Sequence, residues 1–239
     1  LPQEDFIYIG DTAHCPYGTR SEAEVIDLSL RACRFLVQRE AKLIVVACNT
    51  ASQSALNILR ATYAVPFVGV VPAVKPAARI TKSGRIGIIA TNQASRAAYL
   101  RQLIDDFAEG IEVEAIGSPE MVTLAEQGEF EGPHVEEVVK RTLQPLLAKG
   151  VDVIVLGCTH FPALRPVIER QAGKKVQIID SGAAIARRTY AVLGSEDALH
   201  PDTPTGGNLE IWCSGEPEAF SKVASKLLGY PVEAQQTVI

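Results

Sequence analysis

The chain has 239 residues, 47% hydrophobic and 21% charged, an ordinary globular composition that excludes a disordered or collagen-like protein. Its 23 basic and 28 acidic residues give a net charge of −5 with the basic residues scattered, so the electrostatic footprint of a nucleic-acid binder is missing. The longest apolar runs, residues 43 to 48 and 153 to 156, fall far short of the roughly 20 residues of a membrane-spanning helix, which excludes that kind of membrane partner. The five cysteines (Cys15, Cys33, Cys48, Cys158, Cys213) are odd in number, irregularly spaced and without a C-x-x-C pair, so neither a disulfide framework nor a metal site is expected. The opening Leu-Pro-Gln-Glu-Asp lacks the basic and apolar regions of a signal peptide, which leads to the expectation of a cytoplasmic protein with free thiols.

In chain order, strands are predicted at 6 to 9, 43 to 47, 66 to 71, 85 to 90, 111 to 116, 151 to 156, 176 to 179 and 209 to 213. Helices are predicted at about 21 to 39, 52 to 62, 95 to 108, 119 to 127, 133 to 149, 163 to 171, 183 to 193 and 216 to 228. In the first helix Ile26, Leu30, Cys33 and Val37 fall on one stripe. Most strands are continuously apolar, as strands covered on both faces of a parallel sheet are, and the class is α/β.

An internal repeat divides the chain. The string Leu43-Ile-Val-Val-Ala-Cys48-Asn49-Thr50 is echoed by Val153-Ile-Val-Leu-Gly-Cys158-Thr159, with the two cysteines 110 positions apart. Each string follows a long amphipathic helix and precedes a short helix and another strand. Two pseudo-symmetric domains are expected, each a mostly parallel sheet flanked by helices, with the active site in the cleft between them. The first covers 1 to 75, completed by about 194 to 239 after a Gly/Pro/Asp/Thr-rich linker at 194 to 207; the second covers 76 to 193. The second half opens with a strand, loop and helix at about 85 to 110 for which the first half offers no counterpart, so the first domain is expected to lack its opening strand-loop-helix.

Ligands of parallel α/β sheets gather beyond the carboxyl ends of the strands, where both Cys48 and Cys158 stand. A cysteine there is commonly a small buried hydrophobe; duplication of the strand-Cys-Thr unit is what singles these two out. A helix N-terminus lowers a thiol pKa from its reference of about 8.5, which makes a base or nucleophile of it. Asn49, Thr50 and Thr159 add side-chain donors suited to a carboxylate. Two thiols on opposite walls of one cleft suit proton transfer at a carbon stereocentre, one removing the α-proton and the other delivering a proton to the opposite face.

These residues resemble cofactor-independent glutamate racemases, within the wider aspartate/glutamate racemase group. The matching strings are Asp11-Thr-Ala-His-Cys-Pro16-Tyr17-Gly18-Thr-Arg, Val46-Ala-Cys48-Asn49-Thr50-Ala-Ser and Leu156-Gly-Cys158-Thr159-His160-Phe-Pro. The resemblance implies a homodimeric enzyme that needs no cofactor and interconverts L- and D-glutamate, supplying D-glutamate for peptidoglycan. It assigns Cys48 to the D-enantiomer, Cys158 to the L-enantiomer and His160 to assisting the second thiol. Pro16, Tyr17, Gly18, Asn49, Thr50, Thr91, Thr159 and Glu126 form its implied substrate-binding set. The His160 form favours glutamate, since aspartate racemases usually carry Glu there. Two departures stand out: the family's opening Asp-Ser-Gly-x-Gly-Gly loop has no counterpart, Asp180-Ser181-Gly182 being in a different place, and Ala94 replaces the second threonine of Gly-Thr-x-x-Thr. They keep open a non-catalytic amino-acid-binding or regulatory homologue, beside a racemase of a related amino acid such as aspartate. A thiol hydrolase would leave the duplication unexplained.

Overall fold

A computed structural model describes residues 1–201 and 206–239; residues 202–205 of the expected linker lie outside them. The described residues form nine strands: β1 (Phe6–Gly10), β2 (Ile44–Val46), β3 (Phe67–Gly69), β4 (Arg85–Ala90), β5 (Glu112–Gly117), β6 (Val153–Leu156), β7 (Gln177–Ile179), β8 (Leu209–Cys213) and β9 (Ala234–Gln236). The helices are α1 (Glu22–Val37), α2 (Asn49–Thr62), α3 (Val74–Ile80), α4 (Asn92–Arg96), α5 (Ala98–Phe107), α6 (Pro119–Glu126), α7 (Pro133–Ala148), α8 (Arg165–Ala172), α9 (Gly182–Ser195) and α10 (Pro217–Leu228), with 3-10 turns at Tyr17–Thr19 and Phe161–Leu164. Every strand pairing is parallel, and the class is α/β as expected.

Two compact units divide the described residues, the first made of Leu1–Ala47, Ser54–Val70 and Gly182–Ile239 and the second of Cys48–Gln53 and Val71–Ser181. In the first unit β8 lies between β1 and β9, and β2 pairs with β3. Helix α9 belongs here, not with the second domain as the sequence boundaries have it, because it packs on β3. Helix α1 opens with a reciprocal capping box, Ser21 accepting from the Glu24 N–H and Glu24 from the Ser21 N–H. Its buried positions are Val25, Leu28, Ser29, Cys33 and Phe35. The core-facing stripe is thus rotated from the one expected, with Cys33 common to both. Burial pushes the Cys33 thiol up to about 12, so it stays protonated as a core side chain.

In the second unit the strand order is β5-β4-β6-β7. Alternate residues of the two central strands enter two separate cores. Ile89, Ile154 and Leu156 pack with Met121, Val139, Leu143 and Leu146; Ile86, Ile88, Val153 and Val155 pack with Ala73, Val74, Ala77 and Leu100. Period-two alternation with apolar layers on both faces is why these strands read as unbroken apolar runs. The helix α3, which the sequence reading omits, carries Pro76 within its first turn, where a missing N–H costs no helical bond.

Asp152, just before β6, clasps the loop ahead of β4. It accepts from the Thr81 hydroxyl at 2.5 Å, the Lys82 N–H at 2.7 Å, and the Ser83 N–H and hydroxyl, each at 2.9 Å. Burial alone would raise this carboxyl; the bonds from Thr81, Lys82 and Ser83 overcome that and hold it down at about 2. A carboxyl depressed in the folded state stabilises the fold above its unfolded pKa of about 3.9 and loses that effect as pH falls toward its folded value. Asp152→Asn is therefore expected to lower the thermal midpoint at pH 7, with the difference from the parent narrowing between pH 4 and pH 2. Thermal melts of both proteins across that range test it.

Candidate active site

Strand β2 leads through Ala47 to Cys48, whose carbonyl accepts the Ser52 N–H at 2.9 Å as α2 begins. The thiol is half-buried and stands over the helix N-terminus, with the Ala51 N–H donating to Sγ at 3.5 Å. Burial pushes the Cys48 thiol up from its ordinary value, against the lowering effect of the Ala51 and Thr50 N–H groups and of nearby His160; charge on Cys158 pushes it up further. The expected lowering by the helix N-terminus is thus present but outweighed by desolvation.

Cys158 is placed differently. After β6 the Gly157 N–H donates to the Ile89 carbonyl at 2.7 Å, and a Cβ at position 157 would stand 3.1 Å from that oxygen and 3.2 Å from Ile88 Cγ2. Glycine lets the two strand ends close on each other. Helix α8 starts only at Arg165, behind the 3-10 turn Phe161–Leu164, so the expected helix N-terminus is absent from Cys158. Its partner is a side chain: Sγ lies 3.6 Å from His160 Nδ1, and His160 Nε2 is bonded to the Glu126 carboxylate. Glu126 is the last residue of α6, anchored by Met121, Val122, Leu124 and Ala125 in the core. The exposed Thr159 does not cap a helix; the cap position of the 3-10 turn is His160.

Thr91, at the end of β4, caps α4 by accepting the Ala94 N–H at 3.1 Å, and its hydroxyl pairs with that of Thr50 at 3.1 Å. Both threonines are buried, and Ala94 fills a core position at 1% exposure. Asn49 is 3% exposed, and among the described residues its side-chain oxygen meets no hydrogen-bond partner. An orphaned buried acceptor of this kind costs stability unless a donor fills it.

The second unit therefore holds Cys48, Asn49, Thr50, Thr91, Glu126, Cys158, Thr159 and His160. It links Thr50 to Thr91 and joins Cys158, His160 and Glu126 in one chain. Pro16, Tyr17 and Gly18 belong to the first unit, where Gly18 is buried and the Tyr17 hydroxyl donates to Asp11 at 2.7 Å. Gly117 leaves no trace in any motif, and Gly157 figures in the sequence only as part of a matching string; the role of both lies in close approaches of backbone. The Glu126–His160 pair was likewise hidden, because its partners are 34 positions apart.

Residues 1–189 match the family model described as Asp/Glu/Hydantoin racemase. The glutamate racemase of Herpetosiphon aurantiacus is 43% identical over 223 residues, 93% of this chain and 87% of that protein. That of Deinococcus radiodurans is 45% identical over 86% of this chain and 72% of its own length. Among solved structures, glutamate racemase isoform RacE1 of Bacillus anthracis matches with a TM-score of 0.89 at 30% identity, covering 100% of this chain and 90% of that one. The Escherichia coli glutamate racemase, solved with L-glutamate and the activator UDP-MurNAc-ala, matches with a TM-score of 0.86 at 36% identity, covering 99% and 89%.

A Cβ at Gly117, the end of β5, would lie 2.1 Å from Asn92 Oδ1 and 2.8 Å from its Cα. Gly117→Ala is expected to displace the start of α4 beside Thr91 and to destabilise the protein by about 1–3 kcal/mol, the usual cost of overpacking. Denaturant unfolding measures this, and an unchanged midpoint contradicts it.

Proposed function

The chain belongs to the Asp/Glu/Hydantoin racemase family and is an amino-acid racemase, and from that premise we propose that it interconverts L- and D-glutamate by proton transfer at Cα between Cys48 and Cys158. The observation that carries the mechanism is that each strand-end sulfur meets a polar partner, Cys48 Sγ the Ala51 N–H at 3.5 Å and Cys158 Sγ the His160 imidazole at 3.6 Å. One thiolate takes the Cα proton, and the C–H electron pair passes into the substrate carboxylate. The other thiol delivers its proton to the opposite face, and the two sulfurs end with their protonation states exchanged, ready for the reverse turnover. Donors aimed at the carboxylate stabilise the intermediate.

In this reading Cys48 acts on the D-enantiomer and Cys158 on the L-enantiomer. Glu126 accepts from His160 Nε2–H, which leaves the Nδ1 lone pair facing the Cys158 thiol. The imidazole then takes that thiol's proton, and the carboxylate steadies the resulting cation. Asn49, Thr50, Thr91, Thr159 and the turn Pro16, Tyr17 and Gly18 bind the substrate. Support for Asn49 comes from its unfilled buried acceptor, which suits the ammonium group of an amino acid. The family resemblance adds a homodimer, a cytoplasmic location and supply of D-glutamate for peptidoglycan to the proposal; among the described residues no helix is long and apolar enough to cross a membrane.

Circular dichroism of L- and D-glutamate reads the reaction from both sides. Cys48→Ser and Cys158→Ser are each expected to lower racemisation by about 100-fold or more with the melting temperature retained; full activity in either refutes the two-base scheme. Glu126→Gln removes a charge-assisted bond and is expected to cost about ten-fold or more in kcat. Because burial holds the Cys48 thiol up, kcat/KM for D-glutamate, which needs the Cys48 thiolate, should rise with pH along a limb above about 8.5. A flat profile there contradicts this assignment.

A further inference from the structure

Asp11, directly after β1, is the centre of a hydrogen-bond cluster in the first unit, and its side chain is 7% exposed. Oδ2 accepts from the Tyr17 hydroxyl at 2.7 Å; Oδ1 accepts from the Ser214 hydroxyl at 2.6 Å and lies 2.7 Å from His14 Nδ1. Ser214 comes from the turn after β8, far along the chain. Its Oγ also accepts the Ala13 N–H at 3.0 Å, and the next residue, Gly215, donates its N–H to Thr12 Oγ1 at 2.9 Å. A Cβ at Gly215 would come within 2.6 Å of that same oxygen, so the turn is pressed against residues 11 to 13. Neither Ser214 nor Gly215 falls in the stretch matched by the family model.

We propose that Ser214 is a positioning residue for the reaction: its hydroxyl fixes the Asp11 carboxylate, which fixes the Tyr17 phenol and with it the turn of Pro16, Tyr17 and Gly18. This rests on the reading of that turn as substrate-binding. A carboxylate has freedom to rotate about its side-chain bonds, and the Tyr17 hydroxyl on one oxygen with the Ser214 hydroxyl beside His14 on the other hold it in one orientation. Tyr17 is thereby held in place before substrate arrives, so the entropy of ordering it is not charged against binding. Loss of such preorganisation weakens ground-state and transition-state binding alike, which raises KM and leaves kcat in place.

The experiment compares steady-state racemisation by the full chain with that of Ser214→Ala, Ser214→Thr, Tyr17→Phe and the double variant Ser214→Ala/Tyr17→Phe, with thermal melts of each. Ser214→Ala and Tyr17→Phe are each expected to raise KM about three- to ten-fold with kcat within about two-fold, the size of one lost hydrogen bond. The double variant should go no further than Tyr17→Phe, because the two hydroxyls act through one carboxylate. Ser214→Thr, which keeps the hydroxyl, should return KM to within about two-fold of the parent. If Tyr17→Phe raises KM and Ser214→Ala does not, the proposal is overturned while the substrate-binding reading stands. If neither raises it, both fall. Independent multiplication of the two effects, a loss confined to kcat, or a threonine variant as impaired as alanine despite an unchanged melting temperature also overturns the proposal.

Discussion

The N–H of Gly157 donates to the Ile89 carbonyl beside the last paired residues of β4 and β6, Ile89 and Leu156. Past this point the strands part: β4 turns into Thr91 and the cap of α4, and β6 turns into Cys158. The bond and the missing side chain at Gly157 bring the two exits together, so a hydroxyl, a thiol and their partners emerge at one sheet edge. The same device recurs at Gly117, where β5 ends against the backbone of Asn92. Parallel strands place all their carboxyl ends on one side, and glycines at those ends set how closely the loops approach. Apolar layers on both faces make that edge rigid, since Ile89 and Leu156 belong to one core while Ile88 and Val155 belong to the other.

Against this frame the polar groups of the second unit are costly to bury, and each is compensated differently. The buried Thr50 and Thr91 answer each other, while the exposed Glu126 and half-buried His160 pair nearer the surface. Among the described residues nothing donates to the Asn49 side-chain oxygen. Cys48 carries a desolvation cost only partly relieved by peptide N–H groups. A unit that leaves such groups under-satisfied gives up stability for chemical readiness, the expected signature of a binding or catalytic surface.

The α/β class and most of the elements were legible in the sequence. Strands β4 and β8 fall where the apolar runs put them, because hydrophobic runs bounded by polar residues or turn signals are a local property. Strand β9, Ala-Gln-Gln, was missed, since pairing on β8 alone specifies it and its residues carry no apolar signal. The face of α1 came out rotated, because several apolar residues compete for the core and packing picks among them. At the site, the strand-end cysteines could be read from the repeat, and the partnership of His160 with Cys158 was implied by the family resemblance. The difference between the two cysteine units could not: the repeat predicts a helix N-terminus under both, whereas Pro162 and its neighbours form a 3-10 turn that delays α8. Asp11 and Ser214 meet across 203 positions, a separation at which no local pattern survives.

The unlike company kept by the two sulfurs bears on how this chain can vary. Amide hydrogens belong to every residue except proline, so the support given to Cys48 by positions 50 and 51 survives nearly any replacement there. Cys158 leans instead on an imidazole and a carboxylate, both erasable by a single codon change. Mutational drift can therefore retune one half of the pair gradually while the other stays fixed by the polypeptide itself.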